Sequence, residues 1–304
     1  MKKLLPGGRI ARRDFRWGLT FVIPAVVFFA VFFFYPIGNA LWTSFFSKDP
    51  LALGPADFVG LKNYIKIFHS SSFWNSLKAT AIFGGGTTIL FVVVSFVIAL
   101  LITKTKRFQS MLEMTYFSPA IVSSVVAASI WMIIFSPSGI ANQWVNIVAG
   151  TPGDVHGWLS DANMLRLSTI LVYFWKYVGF FTILYISGLS SIPRSVYESA
   201  MVDGANAFQR LIYVTIPLIA PTIILVSILA TIRTFRTFSV QYFFTQAGMP
   251  RGPINVIALN IYYRAIRDHK MGEGTAMSMI LLAIMVTLSI LQFRIGGRGD
   301  EITY

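Results

Sequence analysis

Long uncharged, apolar runs recur along the chain and alternate with short segments that hold nearly all of the charged residues. The runs cover 17–47, 79–103, 114–153, 177–193, 211–232 and 274–293. Most of them reach the roughly 20 residues that a helix needs to cross a hydrocarbon layer about 30 Å thick. The pattern therefore predicts six membrane-spanning helices, near 18–42, 79–103, 115–137, 165–190, 214–235 and 274–295.

Composition excludes an ordinary soluble enzyme. Of the 304 residues, 55% are apolar and only 12% are charged, whereas soluble domains carry about 25% charged residues. The net charge of +13 would suit a nucleic-acid partner only if it were clustered on a soluble face, and instead it lies at the ends of the apolar runs. The expected partner is a lipid bilayer and not nucleic acid. The absence of cysteine excludes disulfides, thiolate metal sites and a cysteine nucleophile.

The distribution of basic residues predicts the orientation of the spans. Basic residues concentrate in the arm before the first span and in every second connection, as expected for the cytoplasmic side of a membrane protein. They are Lys2, Lys3, Arg9, Arg12, Arg13, Arg16, Lys104, Lys106, Arg107, Arg194, Arg210, Arg294 and Arg298. Both termini are therefore predicted to be cytoplasmic. The segment 236–273 disagrees, because it would lie outside yet carries five basic residues, Arg236, Arg251, Arg264, Arg267 and Lys270.

The domain organisation follows from these spans. We expect a basic cytoplasmic arm over 1–17, one membrane domain over 18–296 and a cytoplasmic tail over 297–304. The first uncharged stretch is much longer than the 7 to 15 residues of a cleaved signal peptide, so it is predicted to be a retained span. Prolines in or near the spans remove backbone donors and predict kinks at Pro24, Pro36, Pro119, Pro137, Pro217 and Pro221.

The segment 192–217, between the fourth and fifth spans, contains the most informative motif. Ser195 and Glu198 have the spacing of a capping box, which predicts a short helix from about Val196. Asp203-Gly204 is typical of a turn, because Gly tolerates positive φ and Asp bonds to its own backbone. Asp203 is also a candidate cap for a second short helix, whose apolar residues Phe208, Leu211 and Ile212 are predicted to share one side. Such a helix-turn-helix could be gripped by a cytosolic partner.

This segment resembles the EAA loop of permease subunits of ATP-binding-cassette importers. The matching residues are Glu198, Ser199, Ala200, Asp203, Gly204, Ala205, Val214, Ile216 and Pro217, with Ser199 in place of the usual Ala. Further segments resemble carbohydrate-type permeases for maltose-like sugars or glycerol 3-phosphate, notably 58–64, 131–142, 262–264 and 272–278. The chain departs from that family at 245–250, which reads Thr-Gln-Ala-Gly-Met-Pro where Thr-Gly-Gly-Gly-Pro is common.

The resemblance implies an all-α, six-span permease with a MetI-like type I importer fold, in a bacterial or archaeal cytoplasmic membrane. It implies that the loop is a coupling helix seated on an ATPase, with Phe208 among the contact residues. It further implies a second permease subunit, two ATPase subunits that bind ATP and Mg²⁺, and an extracytoplasmic binding protein that delivers the substrate. Glu198 would then contact the ATPase or simply cap its helix, and Gly204 would serve the backbone conformation.

Polar and aromatic residues inside the fourth and fifth spans are candidates for the substrate pathway. Lys176 lies in an apolar span, where a charge is costly and usually faces a cavity or partner, unless it reaches the membrane surface. Ser227, Thr231 and Thr234 share one helical face and suit either sugar hydroxyls or helix packing. Trp175 and Tyr177 could stack on a sugar or belong to the packing. Arg233 and Arg236 could attract an anionic substrate or lie among lipid headgroups.

No catalytic or metal-binding group is predicted on this chain. Gly84-Gly85-Gly86-Thr87-Thr88 lacks the lysine of a phosphate-binding loop, and the three histidines are isolated. ATP hydrolysis would therefore require another subunit. Two alternatives remain at this point. A membrane enzyme would need clustered polar groups at one depth, and an independent channel or secondary transporter for a small polar solute would need buried acidic residues.

Overall fold

The computed structural model describes residues 9–47, 56–105 and 107–296, with residues 9–16 described as backbone only. The expectations for Lys2, Lys3, Lys106, Arg298 and the tail 297–304 lie outside this range. The helices are α1 (Arg9–Phe29), α2 (Tyr35–Thr43), α3 (Lys62–Phe68), α4 (Ser71–Lys104), α5 (Gln109–Ile121), α6 (Ser124–Ile134), α7 (Ile140–Ala149), α8 (Ala162–Ser190), α9 (Arg194–Val202), α10 (Ala207–Arg210), α11 (Ile216–Leu218), α12 (Ala220–Arg236), α13 (Ser239–Gln246), α14 (Arg251–Ile254), α15 (Ile257–Tyr262) and α16 (Met271–Gly296).

Three short π-helical segments interrupt this order, at Ala30–Phe34, Leu211–Thr215 and Tyr263–Arg267. The first two lie directly before Pro36 and Pro217. A proline inside a helix lacks a backbone N–H, and its ring crowds the carbonyl four residues earlier. A local shift to wider π-type bonding accommodates that loss. The kinks predicted at these two prolines therefore take the form of π segments.

Five helical segments of the described residues are long and apolar enough to span a membrane: Trp17–Thr43, Ser71–Lys104, Ala162–Ser190, Ala220–Gln246 and Met271–Gly296. The third span, predicted over 115–137 with a kink at Pro119, is not a single helix. Helices α5 and α6 occupy this region and meet at 99°, and the pair counts as a sixth span only if it is taken together. Pro119 lies in the last turn of α5, Val122 is extended, and the Ser123 hydroxyl accepts a hydrogen bond from the Val126 N–H.

Contacts divide the chain into two compact parts, and the first comprises residues up to Ile67 together with Arg264–Met279. In it, the two-residue strands β1 (Phe46–Ser47) and β2 (Asp57–Phe58) pair antiparallel. The Asn63 side chain donates hydrogen bonds to the carbonyls of Ser44 (2.8 Å) and Phe46 (3.0 Å). A side chain at Gly272 would collide with the Phe46 carbonyl, so glycine permits close backbone approach at the start of α16.

The second part comprises Phe68–Tyr263 and the chain from Ile280 onward. Helix α8 lies at its centre and packs against α4, α5 and α12. Phe91 of α4 and Phe181 of α8 are both fully buried, with ring centroids 4.5 Å apart. Small residues allow the closest contacts, and a side chain at Gly179 would collide with the Tyr116 carbonyl of α5. This core fixes the positions of the polar groups on α8 and α12.

Candidate functional site

The coupling segment predicted at 192–217 forms two short helices joined by a tight turn. Helix α9 ends at Val202, Asp203 is its C-cap, and Gly204 has φ +79°. Only a residue without a Cβ adopts this left-handed conformation readily. The turn predicted at Asp203-Gly204 is therefore confirmed, with Gly204 as its conformational determinant.

The predicted capping of these helices is wrong in detail. Helix α9 begins at Arg194 rather than Val196, its N-cap is Pro193, and no side chain caps it. Glu198 instead pairs with Arg194 four residues earlier, at 2.8 Å, so Ser195 and Glu198 form no capping box. The second helix is capped by Asn206 rather than by Asp203, through a reciprocal capping box with Gln209. With Pro193 at the N-cap of α9, Ser195 and Glu198 lie inside the helix instead of at its N-cap and N3 positions.

The segment is held in place from one side and exposed on the other. Arg210 donates a hydrogen bond to the Ala205 carbonyl at 2.8 Å, and the hydroxyls of Tyr197 and Thr215 lie 3.2 Å apart. The exposed apolar side chains include Val202 (87% exposed) and Phe208 (69% exposed). The remaining predicted coupling residues are exposed or half-buried: Glu198, Ser199, Ala200, Asp203, Gly204, Ala205 and Pro217. Phe208 and Ile212 are exposed whereas Leu211 lines a cavity, so the prediction that all three share one side is wrong for Leu211.

A cavity of about 480 Å³ lies beneath the coupling segment. Its walls come from the ends of α4 and α8, from the start of α5 and from the coupling segment itself: Leu100, Thr103, Lys104, Gln109, Leu189, Ser190, Tyr197, Ala207, Arg210, Leu211 and Thr215. The segment therefore lies over the same end of α4 and α8.

Lys176 is buried at the break between α5 and α6. Its side chain is 2% exposed, and its ammonium group donates hydrogen bonds to the carbonyls of Val122 and of Ala120, the latter at 3.3 Å. These carbonyls lie at the end of α5, where no following turn supplies intrahelical donors. Lys176 thus satisfies the acceptors that the break exposes, and it does not extend to the membrane surface.

The hydroxyl groups on α12 mostly bond within the chain. Thr234 is 1% exposed and lies 3.1 Å from the Thr88 hydroxyl of α4. Thr231 accepts a hydrogen bond of 2.8 Å from Gln292 of α16. Ser227 bonds to the Ile223 carbonyl of its own helix. The structure thus places Thr231 and Thr234 at helix–helix contacts.

A second cavity, of about 440 Å³, opens between α8 and α12. We call it the α8–α12 cavity, and its lining residues are Tyr173, Phe180, Leu229, Ile232, Arg233, Arg236 and Thr237. The Arg233 guanidinium lies 3.8 Å from the ring centroid of Tyr177 and 5.1 Å from that of Phe180. Trp175 is half-buried and contacts Trp131 edge to face. Neither Trp175 nor Tyr177 lines the cavity, but the Tyr177 ring contacts Arg233, which does.

The end predicted for the fifth span, near 235, agrees with the end of α12 at Arg236. After the extended residue Thr237, the apolar segment continues through α13, so that the candidate span reaches Gln246. The signal was present in the sequence, because residues 237–250 contain no charge. Two arginines, Arg233 and Arg236, lie within this longer segment, and Arg233 is at its midpoint, with 13 residues of the span on either side.

These features define a multi-span membrane protein with an exposed helix-turn-helix segment between two spans and a cavity lined by two arginines between α8 and α12. The chain belongs to the family of binding-protein-dependent transport system inner membrane components, whose model matches residues 95–298. It is a permease subunit of an importer of the ATP-binding-cassette type, which confirms the expectation from the EAA segment. The alternatives of a membrane enzyme and of an independent channel or secondary transporter are wrong.

Relatives match almost the whole chain. The trehalose/maltose transport system permease protein MalF of Thermococcus litoralis is 26% identical over 289 residues, covering 95% of this chain and 96% of the relative. The lactose transport system permease protein LacF of Rhizobium radiobacter is 28% identical, covering 91% and 92%. The sn-glycerol-3-phosphate transport system permease protein UgpA of Agrobacterium fabrum is 28% identical, covering 90% and 92%.

A solved structure confirms the fold. A chain of a bacterial alginate ABC transporter, in complex with an alginate pentasaccharide-bound periplasmic protein, superposes with a TM-score of 0.79 at 21% identity. The match covers 96% of this chain and 98% of that chain. The all-α importer permease fold predicted from the sequence is thus confirmed.

Proposed function

We propose that this chain forms half of the translocation pathway for a sugar, an oligosaccharide or a glycerol-phosphate-type substrate. The relatives named above support this substrate range, since they are permeases for maltose or trehalose, lactose and glycerol 3-phosphate. An extracytoplasmic binding protein delivers the substrate, and a second permease subunit completes the path. The membrane is the cytoplasmic membrane of a bacterium or archaeon, with both termini on the cytoplasmic side.

The coupling segment is the observation that carries this proposal. It presents exposed apolar residues, among them Phe208, beside a turn whose positive φ Gly204 permits. An exposed apolar patch of this kind marks a protein interface. The occupant is an ATPase subunit, with one copy on each permease, and these ATPases bind ATP and Mg²⁺. The chain itself binds neither.

Transport follows from the way the segment is seated. ATP binding draws the two ATPases together and carries α9 and α10 with them. Because these helices pack over the ends of α4 and α8, the displacement tilts the two helices that dominate the core. The two permeases swing from inward-facing to outward-facing, and hydrolysis returns them.

The substrate path runs along the faces that this chain leaves uncovered. The span Trp17–Thr43 has none of its apolar window buried, which suits packing against a second permease. Of the predicted pathway residues, Lys176, Thr231 and Thr234 are engaged by their own chain. Trp175, Tyr177 and Ser227 are half-buried and are the members of that set we place nearest the substrate.

Co-purification tests the coupling role directly. Phe208→Asp places a charge on the proposed ATPase contact, whereas Phe58→Asp alters a side chain of nearly equal exposure, 68%, far along the chain from the coupling segment. We expect Phe208→Asp to lose both the co-purifying ATPase and ATP-driven uptake, and Phe58→Asp to keep the ATPase. An unchanged ATPase yield with Phe208→Asp would refute the assignment of this surface. Uptake by the purified chain alone would refute the subunit proposal as a whole.

A further inference from the structure

We propose that the substrate carries an anionic group, a carboxylate or a phosphate, which Arg233 binds in the α8–α12 cavity with support from Arg236. This inference rests on the proposed import function and narrows its substrate class. It distinguishes charged sugars and sugar or glycerol phosphates from the neutral sugars that fall within the same proposal.

The depth of Arg233 separates it from an ordinary interfacial arginine. Arg233 lies in the last turn of α12, which ends at Arg236, and 13 residues of the candidate span Ala220–Gln246 lie on either side of it. An arginine near the end of a span reaches the headgroups with its long side chain, but the middle of a 27-residue span is beyond that reach. A charge at this depth is costly and usually faces a cavity on a substrate path.

The partners of Arg233 leave its charge without a counterion. The guanidinium stacks on the Tyr177 and Phe180 rings, and none of the ion pairs among the described residues includes it. Lys176 differs from Arg233, because its ammonium group donates hydrogen bonds to the backbone carbonyls of Ala120 and Val122. A structural role explains Lys176, whereas Arg233 still presents a positive charge to the cavity.

The cavity has the size and lining of a small-ligand site. Its volume of about 440 Å³ falls within the roughly 300–1,000 Å³ of such sites. Two arginines, Arg233 and Arg236, share its wall with the side chains of Tyr173 and Thr237. Aromatic rings hold the Arg233 guanidinium plane in place, so less side-chain freedom is lost when it binds a ligand.

A guanidinium in this setting favours an oxyanion over a hydroxyl group. It presents parallel N–H donors that match the two oxygens of a carboxylate or phosphate, and such charge-assisted pairs are about twice as strong as neutral ones. A neutral sugar would leave the charge of Arg233, which is half-buried, uncompensated. The geometry therefore selects for substrates that bring their own negative charge.

Paired probes that differ in charge test this proposal on the full chain in phosphatidylcholine nanodiscs. Saturation-transfer NMR would compare D-galacturonate with D-galactose, and sn-glycerol 3-phosphate with glycerol. We expect at least one anionic probe to bind about tenfold or more tighter than its neutral counterpart, the factor that corresponds to about 1.4 kcal/mol. A preference for D-galacturonate would indicate that the substrate is a sugar acid. A preference for sn-glycerol 3-phosphate would indicate that it is a phosphate ester. Equal binding of charged and neutral probes in both pairs would overturn the proposal.

Variants of Arg233 test whether this residue causes the preference for anionic over neutral probes. Arg233→Gln should abolish the difference between charged and neutral probes, and Arg233→Lys should keep part of it. The matched control is Arg251→Gln, because Arg251 also lies 3.8 Å over a tyrosine ring, that of Tyr263, but bonds to Asn255 and Asn260 and does not line this cavity. A preference that survives in Arg233→Gln would overturn the assignment. So would loss of probe binding in phosphatidylglycerol nanodiscs, since that would make this a lipid-phosphate site.

Uptake by the complete transporter separates this inference from the proposed function. ATP-driven uptake of a neutral sugar that is unchanged in Arg233→Gln would leave the import function standing and overturn the anionic substrate. Arg233-dependent binding of the anionic probes to the chain, without ATP-driven uptake of any sugar or glycerol phosphate, would support the anion site and overturn the import function.

Discussion

The ammonium group of Lys176 on α8 donates a hydrogen bond to the backbone carbonyl of Val122, directly after the end of α5. This contact joins the central helix of the core to the break between α5 and α6. In a membrane, a backbone acceptor without a donor is costly, because no water is available to replace the lost bond. The bent pair therefore depends on a side chain that lies 54 residues away in the sequence.

Lys176→Met should destabilise the protein, because it leaves the carbonyls of Ala120 and Val122 without their donor. The expected loss is about 1–3 kcal/mol in the free energy of unfolding. Denaturant titration in micelles measures it. Lys104→Met is the control, since Lys104 is exposed at the end of α4, and it should change stability little. Equal stability of the two variants would show that Lys176 does not hold the break.

Gly179→Ala should loosen the packing of α8 against α5. The new methyl group would collide with the Tyr116 carbonyl, which is backbone and cannot move aside alone. Such overpacking costs about 1–3 kcal/mol. Gly85→Ala is a matched control within a span, because its methyl group would meet nothing within 4 Å. Thermal unfolding of both variants should show a clear loss only for Gly179→Ala.

Gly204→Val should uncouple ATP hydrolysis from uptake while the protein remains in the membrane. There is open space around Gly204, so the effect arises from its φ of +79°. The left-handed conformation costs an ordinary L-residue about 1–2 kcal/mol, and a β-branched residue tolerates it least. Gly204→Asn is the control, because asparagine adopts this conformation more easily. Normal ATP-driven uptake by the valine variant would contradict a coupling role for this turn.

The start of α8 should become sensitive to acid through Asp161. The backbone N–H groups of Met164 and Asn163 donate to the Asp161 carboxylate and hold its pKa below the usual value. A carboxyl whose pKa is lowered by folding stabilises the protein above its unfolded pKa of about 3.9. That contribution is lost as the pH falls through the folded value.

Thermal unfolding of Asp161→Ala and Asp161→Asn over a range of pH measures this effect. We expect the alanine variant to melt below the wild type at neutral pH and the difference to shrink as the medium becomes strongly acidic. Asparagine also caps helices but does not titrate, so its variant should lack the pH-dependent part. A difference between wild type and Asp161→Ala that stays constant down to the lowest pH would exclude this cap.

Part of the coupling segment could be predicted from sequence and part could not. The Asp203-Gly204 turn followed from local chemistry, because the conformational preference of glycine acts within one residue. The capping did not, since Ser195-x-x-Glu198 and Asn206-x-x-Gln209 are both plausible boxes. Pro193 set the start of α9 and left Glu198 to pair with Arg194.

The sequence by itself determined that this protein lies in a lipid bilayer. It also determined the position of most spans and of the coupling segment. These features depend on hydrophobicity summed over about 20 residues and on local turn chemistry. Only the tertiary structure decided that the third span is bent as sharply as 99°, that Lys176 bonds to the carbonyls at this bend, and that Thr231 and Thr234 bond to neighbouring helices. It also placed Arg233 at mid-span beside a cavity. These features depend on which helices pack against each other. Hydrophobic patterning predicts that a segment spans the membrane, but it does not predict which side chains of other helices that segment contacts.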